Sequence, residues 1–183
     1  MTMKPLLAAA AMAALAAGCA TSDPPPTQLT EDVAPMQETA QAEVNALNDL
    51  ASAFVDAQDL YKDASNIPDD NEAMRQALAR LSQERGEQLE AIQMRVNAMG
   101  GEADTVGDAL GVGHKMFTEL RTAISDDSEV AVEEVLRGDR YLADKIGETL
   151  TGDLSPDTVA MLEGLREDIR ADITKLEEMD RSA

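Results

Sequence analysis

Hydrophobic residues recur at alternating steps of three and four over four long segments of the chain, which is the spacing of amphipathic helices. The segments run from Val44 to Tyr61, from Leu78 to Met99, from Val132 to Leu150 and from Val159 to Met179. No segment alternates apolar and polar residues with the period of two that indicates a strand. The pattern therefore predicts an all-α protein with four long helices.

Local signals predict where these helices begin and end. Asp69 with Glu72 three residues later is typical of a capping box at the start of the second helix. Gly100-Gly101 predicts the end of that helix. Ser155-Pro156 predicts the start of the last one, with the Ser155 oxygen as N-cap and proline at the first helical position.

The connection lengths predict how the helices are arranged. Short connections around Pro68 and Gly152 favour two antiparallel hairpins. The segment from Gly101 to Asp127 is too long for a turn, and its apolar positions, Phe117 and Leu120 among them, indicate a shorter helix within it. We expect a four-helix bundle in which this long crossover joins the two hairpins.

From Val44 to Met179 the chain resembles the ferritin-like four-helix-bundle proteins of unknown function that are found in bacteria. The residues that carry the resemblance are Leu47-Asn48-Asp49-Leu50, Tyr61, Arg85 to Met99 followed by Gly100-Gly101-Glu102, His114, and Arg137-Gly138-Asp139. The resemblance implies a ferritin-like bundle and its connectivity, and it brings no established activity.

Residues 1–18 have the features of a lipoprotein signal peptide. Lys4 precedes an uncharged stretch, Leu6 to Ala17, that is far shorter than the roughly 20 residues needed to span a bilayer. Leu15-Ala16-Ala17-Gly18-Cys19 resembles a bacterial lipobox, although Leu15 lies four residues before the cysteine instead of three. We expect acylation of Cys19, and the alternative is an ordinary signal peptide that leaves a free thiol.

Residues 19–35 are rich in proline, threonine and acidic side chains, which predicts an extended tether ahead of the helical domain, residues 36–183. Ala20 follows the cysteine where aspartate would resemble an inner-membrane retention signal. The expected location is therefore the outer membrane, with the protein facing the periplasm. The expected partners are the membrane, through the lipid on Cys19, and an envelope protein, with the oligomeric state left open.

Charge and composition exclude several classes of function. The chain has 36 acidic and 15 basic residues, a formal net charge of −21, and few aromatic side chains, which excludes a nucleic-acid binder. One cysteine and one histidine exclude a disulfide framework, a thiolate zinc site and a multi-histidine metal site. His114 is expected on a helix surface or boundary, and we predict no catalytic residue and no cofactor.

A di-iron site in such a bundle needs Glu-x-x-His on two helices, and this chain does not supply it. The second helix offers Glu84-x-x-Glu87, and the fourth has arginines three residues after Glu163 and Glu167. We expect these four carboxylates not to converge on one interior point. A metal-binding or di-iron oxidase-like relative of ferritin remains the alternative.

Three polar residues, Arg85, Asp139 and Gln58, occupy positions where the apolar pattern predicts burial. An unpaired buried charge costs several kcal/mol, so Arg85 requires an acidic partner, for which both Asp49 and Asp139 are candidates. One interpretation is a polar network that fixes the register of the helices, and the other is a cavity for a small ligand. We expect a non-catalytic lipoprotein with a structural or interaction role in the cell envelope.

Overall fold

The computed structural model describes residues 33–66, 71–105, 112–123 and 128–181. The helices are α1 (Val33–Ser65), α2 (Glu72–Ala98), α3 (Val112–Ala123), α4 (Ser128–Thr149) and α5 (Pro156–Asp180). These described ranges contain no strand, so the predicted all-α class is confirmed, as is the short helix in the crossover, which is α3.

The predicted signal peptide, residues 1–18, and Cys19, the predicted lipidation site, lie outside the described residues. So does the tether, except for its last three residues, which already belong to the first turn of α1. No helix in the described part of the chain is both long and apolar enough to cross a membrane.

Each pair of long helices that the sequence placed in a hairpin packs together, α1 against α2 and α4 against α5. Gln58 in the second half of α1 lies against Gly86 in the middle of α2, whereas Val44 near the start of α1 lies against Gly101 just after the end of α2. The two helices of this pair are therefore antiparallel.

The contacts between the pairs give the direction of the second pair. Tyr61 near the end of α1 bonds Asp139 in the middle of α4, whereas Glu43 near the start of α1 bonds Ser155, which lies just beyond α4. Helices α1 and α5 consequently run in one direction and α2 and α4 in the other. The chain between α2 and α4 returns along the length of the bundle, with α3 packed on α1 and α4.

Helix α1 packs against three neighbours, α2, α3 and α4. Ala51, Ala53 and Ala57 are buried along it, and their small side chains allow close packing on more than one face. Phe117 of α3 meets Tyr141 of α4 edge to face, with ring centroids 5.7 Å apart. Buried apolar side chains of all five helices form one core.

The ends of α2 show one correction and one confirmation. Helix α2 begins at Glu72 with Asn71 as its N-cap, whose side chain accepts a hydrogen bond of 3.1 Å from the Met74 N–H. The predicted capping box that starts at Asp69 is therefore wrong by two residues. At the other end Gly100 has φ +79°, and the Gly101 N–H bonds the carbonyl of Val96 at 3.0 Å, which confirms the predicted glycine stop.

Helix α5 begins at Pro156, as predicted, but Ser155 does not cap it with its own side chain. The Ser155 hydroxyl instead donates to Glu43, a residue of α1. The predicted capping role of that hydroxyl is therefore wrong, because its oxygen accepts from Nη2 of Arg95 at 2.5 Å and not from a backbone N–H of α5.

Candidate functional site

The largest fully buried side chain among the described residues is a charged one, Arg85 in the middle of α2. Its Nε and Nη2 donate to Oδ1 of Asp139 on α4, at 3.1 and 2.9 Å. Nη2 also donates to Oδ2 of Asp172 on α5 at 3.1 Å, and Nη1 donates to Oε1 of Gln88 at 3.0 Å. The guanidinium therefore links three of the four long helices.

Tyr61 brings the remaining long helix, α1, into the same cluster. Its hydroxyl donates a short hydrogen bond to Oδ1 of Asp139, and its ring centroid lies 5.7 Å from Cζ of Arg85. We call these five residues, Tyr61, Arg85, Gln88, Asp139 and Asp172, the Arg85 network. The network crosses the core and contacts every long helix of the bundle.

The donors are distributed unevenly over the Asp139 carboxyl group. Oδ1 receives the Tyr61 hydroxyl and two N–H groups of Arg85, whereas Oδ2 is buried and has no hydrogen-bond partner. Both Arg85 and Asp139 are completely shielded from solvent, whereas Asp172 is 16% exposed. One guanidinium thus faces two carboxyl groups, one sealed in the core and one at its edge.

Burial and charge shift the pKa values in this network. Burial raises the pKa of Asp139 above the ordinary aspartate value, although Arg85 and the Tyr61 hydroxyl both oppose that shift. The pKa of Tyr61 is raised well above its usual value, chiefly by burial and by Asp139. Burial lowers the pKa of Arg85, but Asp139, Tyr61 and Asp172 together outweigh that effect and raise it, so the guanidinium stays charged.

Gly138 explains how the bundle closes around the network. A Cβ at that position would lie 3.1 Å from side-chain atoms of both Leu60 and Phe117, and 3.5 Å from the Tyr61 hydroxyl oxygen. The missing side chain therefore allows Leu60 and Phe117 to pack closely against α4 beside the network. Arg137, which precedes Gly138, is exposed and pairs with Glu134 outside the network.

The structure separates the two partners that the sequence left open for Arg85. Asp139 lies against the guanidinium, whereas Asp49 is exposed on α1. Gln58 is half-buried and lies over Gly86, next to Arg85 in the chain.

The sequence did not reveal three members of the network, Tyr61, Gln88 and Asp172. Tyr61 belongs to the predicted apolar stripe of α1, and such a stripe predicts burial of the ring without indicating a partner for the hydroxyl. Asp172 directly precedes Ile173 of the last apolar stripe. A position beside the stripe lies at its edge, and this was the sequence signal that Asp172 is half-buried.

The edge of the network opens into a groove of about 410 Å³ between α2 and α5. Its polar lining consists of Glu84, Glu87, Gln88, Asp168 and Asp172. Burial and the neighbouring Asp172 raise the pKa of Glu84. The groove therefore carries a strongly negative surface directly above the buried guanidinium.

Two of the four carboxylates considered as metal ligands, Glu84 and Glu87, line this groove, whereas Glu163 and Glu167 are exposed on α5. Within the described residues, no group of three or more His, Cys, Asp or Glu side chains is arranged to hold a metal ion. The side chain of His114 lies outside the described residues.

A second polar cluster, the Glu43 network, lies at the end of the bundle where α1 begins. It consists of Glu43, Arg95, Ser155 and Thr158. Oε2 of Glu43 accepts from the Ser155 N–H at 3.0 Å, and Oε1 accepts from the Ser155 hydroxyl at 2.7 Å and from the Thr158 hydroxyl. The carboxylate thus caps the start of α5, where unpaired N–H groups and the helix dipole favour negative charge.

Arg95 completes the Glu43 network from the end of α2. Its Nε donates to the Thr158 hydroxyl at 2.7 Å, and its Nη2 lies 3.8 Å from Oε1 of Glu43. Burial raises the pKa of Glu43, but the hydrogen bonds from Thr158 and Ser155 together with Arg95 prevail and lower it. Glu43 is therefore held ionised.

Asn48 fixes the segment after α2 at the same end of the bundle. Its side-chain amide donates to the Glu102 carbonyl at 2.9 Å, and its side-chain oxygen accepts from the Asp104 N–H at 3.0 Å. Two of the sequence motifs, Leu47 to Leu50 and Gly100 to Glu102, therefore meet in the folded chain.

Comparison with known proteins identifies a family and assigns no activity to it. No curated protein matches the chain. A family model described as a domain of unknown function, DUF2383, matches residues 42–152, which is more than half of the 183 residues. The matched range includes the Leu47 to Leu50 motif, the Gly100 to Glu102 motif and the Arg137-Gly138-Asp139 segment. The chain therefore belongs to the DUF2383 family.

Proposed function

We propose that this protein is a non-catalytic lipoprotein of the cell envelope, in which a ferritin-like helical bundle serves a structural or interaction role. The observation that carries the proposal is the Arg85 network. In a di-iron bundle the inward-facing polar positions supply anionic and imidazole ligands to a cation. Here the same region of the bundle is organised around a guanidinium, whose permanent charge disfavours a metal cation beside it.

The connectivity supports the ferritin-like part of the proposal. Helices α1 and α5 run in one direction, α2 and α4 run in the other, and one long crossover joins two antiparallel pairs. Ferritin-like bundles have one such crossover between hairpins. The network of polar contacts then takes the structural role of fixing the register of the four helices.

The membrane attachment rests on the sequence of the N-terminus. A lipid anchor is consistent with the charge of the domain, because a chain with a net charge of −21 gains no attraction from an anionic membrane surface. Two or more acyl chains on Cys19 give a stable attachment without help from charge.

The described surface suggests how the bundle contacts an envelope partner. Met94 is the one exposed large hydrophobic side chain in the described part of the chain, so apolar contacts supply little of any interface there. Since acidic side chains predominate, we propose a partner with a basic surface.

The anchor is tested by Cys19→Ser. The variant is expected to leave the membrane fraction or to accumulate as an uncut precursor, while the natural protein incorporates a fatty-acid probe. A natural protein that is unlabelled and leaves the membrane fraction without detergent would contradict the anchor.

The non-metal interior is tested separately by metal analysis of the full chain expressed in iron-rich medium. We expect less than one tightly held metal ion per chain. Two ions per chain, lost in Glu84→Gln but retained in the exposed Glu163→Gln, would instead establish the metal-binding alternative.

A further inference from the structure

The Asp139 carboxyl group sits in an environment that suits its neutral form better than its charged form. Its Oδ2 is buried without any hydrogen-bond donor, and leaving an ionised oxygen unpaired in a protein interior costs more than leaving a neutral hydroxyl unpaired. A proton on Oδ2 would remove that charge while Oδ1 keeps its three donors, one from Tyr61 and two from Arg85.

Arg85 does not need an ionised Asp139 in order to be neutralised. Its Nη2 also donates to Asp172, which is partly exposed in the groove between α2 and α5 and therefore keeps some of its hydration. Of the two carboxyl groups that share the guanidinium, the sealed one is the costlier to ionise.

The other helices around Asp139 contribute no further positive charge to it. Helix α1 presents the neutral Tyr61, and α5 presents Asp172. Besides Arg85, α2 carries Glu84, which interacts with Asp172 and Arg85 and also with Arg80 and Lys175. Helix α3 places uncharged Phe117 beside Gly138.

The described charges of α3 have partners elsewhere. Arg121 pairs with Asp59 and Asp63 on α1, and Lys115 pairs with Glu119 within α3. Among the described residues, Arg85 is therefore the cation that pairs with Asp139, and Asp139 shares it with Asp172.

We propose that Asp139 is a reversible proton-binding site in the core, and that its protonation leaves Asp172 as the ionised partner of Arg85. With the proton bound, the guanidinium pairs with Asp172 and draws α2 towards α5 at the groove. With the proton released, the two carboxylates compete for Arg85 and that contact weakens. The network thereby makes the seam between the two helix pairs sensitive to pH.

The direct test is ¹³C NMR of the full chain, following the Asp139 carboxyl carbon against pH, with the resonance assigned by its disappearance in Asp139→Asn. We expect release of the proton at a pH above the ordinary aspartate value. Titration at or below that value would overturn the proposal, and this is also the result expected if a buried water donates to Oδ2 and keeps the group ionised.

A pair of groove variants separates the proposed coupling from general charge effects. Asp172→Asn leaves Arg85 with Asp139 as its one acidic partner, so the titration of Asp139 should move to lower pH. Asp168→Asn removes the same charge from the same groove without touching a bond of Arg85, and it should shift the titration far less. Equal shifts in the two variants would show that Arg85 is not shared in the proposed way.

The seam is tested by the denaturant midpoint of unfolding, which should fall in the natural protein as pH rises through the titration of Asp139. The midpoint of Asp139→Asn should lack that fall, because the amide cannot ionise. Parallel pH profiles in the two proteins would overturn the link between protonation and the bundle. If Asp139→Asn does not fold, the NMR titrations of the natural protein and of the groove variants still decide the question, with the resonance assigned through the backbone.

Discussion

The two polar networks each bury one carboxyl group, and they treat it in opposite ways. Asp139 receives all its hydrogen bonds on one oxygen and shares its cation with Asp172, whereas Glu43 receives donors on both oxygens at the start of α5. Burial raises the pKa of both groups, yet that of Asp139 ends above its ordinary value and that of Glu43 below it. Asp139 is the more deeply buried of the two, and its donors all lie on one oxygen, so its charge is compensated less well than that of Glu43.

The opposite shifts imply opposite effects of pH on stability. A carboxyl group whose pKa is lowered on folding stabilises the fold above its unfolded pKa, and this contribution is lost as pH falls. A carboxyl group whose pKa is raised contributes most below its unfolded pKa, and its contribution is lost as pH rises. The Glu43 network should therefore weaken in acid, and the Arg85 network in base.

The largest expected effect comes from removing the guanidinium. Arg85→Ala should lower the free energy of unfolding by about 3–5 kcal/mol in mildly alkaline buffer, because it leaves the Asp139 carboxylate buried without a cation. The loss should shrink as pH falls, since Asp139 then takes a proton. Urea titrations at several pH values measure both effects, and a loss below about 1 kcal/mol, as for an exposed pair, would show that Arg85 does not act as a buried charge.

Volume and charge are distinguished by a second substitution at the same position. Arg85→Met keeps most of the stem and should cost less than Arg85→Ala. The double variant Arg85→Met/Asp139→Asn should cost least of the three, because it removes both buried charges together. If the double variant is as unstable as Arg85→Met, the stranded carboxylate is not the source of the loss.

The next effect is expected from the Glu43 network. Glu43→Gln should cost about 1.5–3 kcal/mol at neutral pH, since hydrogen bonds to a charged acceptor are worth about that much. The natural protein should lose the same contribution as pH falls through the lowered pKa of Glu43. Because the variant lacks that contribution at every pH, the acid unfolding of the variant should begin at a higher pH than that of the natural protein. Glu38→Gln, five residues earlier on the same helix and exposed, is the matched control and should leave both measurements unchanged.

The sequence predicted the helices and the burial of Arg85 and Asp139, because an amphipathic stripe records which positions face inward. It left Asp49 open as a partner, since position along a helix does not give the rotation of one helix against another. It also assigned the Ser155 hydroxyl to its own helix. The hydroxyl instead donates to Glu43, which lies 112 residues away in the chain, and no local pattern indicates such a contact.

A smaller effect is expected from the tyrosine that joins α1 to the Arg85 network. Tyr61→Phe removes one donor from Oδ1 of Asp139 but keeps the ring beside Arg85, so it should cost about 0.5–1.5 kcal/mol. It should also raise the pKa of Asp139 further, because the hydroxyl favours the ionised form. Tyr141→Phe, which keeps the contact of its ring with Phe117, serves as the control and should leave the titration of Asp139 unchanged.

The smallest effect is expected where the same ion-pair chemistry occurs at the surface. Nη2 of Arg140 lies 2.7 Å from Oε1 of Glu177, closer than Nη2 of Arg85 lies to Asp139, but both side chains are at least 40% exposed. Water replaces the partner when either is removed, so Arg140→Ala should cost at most about 1 kcal/mol, and less in high salt. A loss comparable with that of Arg85→Ala would show that distance governs the strength of these pairs. A much larger loss of unfolding free energy in Arg85→Ala than in Arg140→Ala would instead show that burial determines how much the Arg85 network contributes to stability.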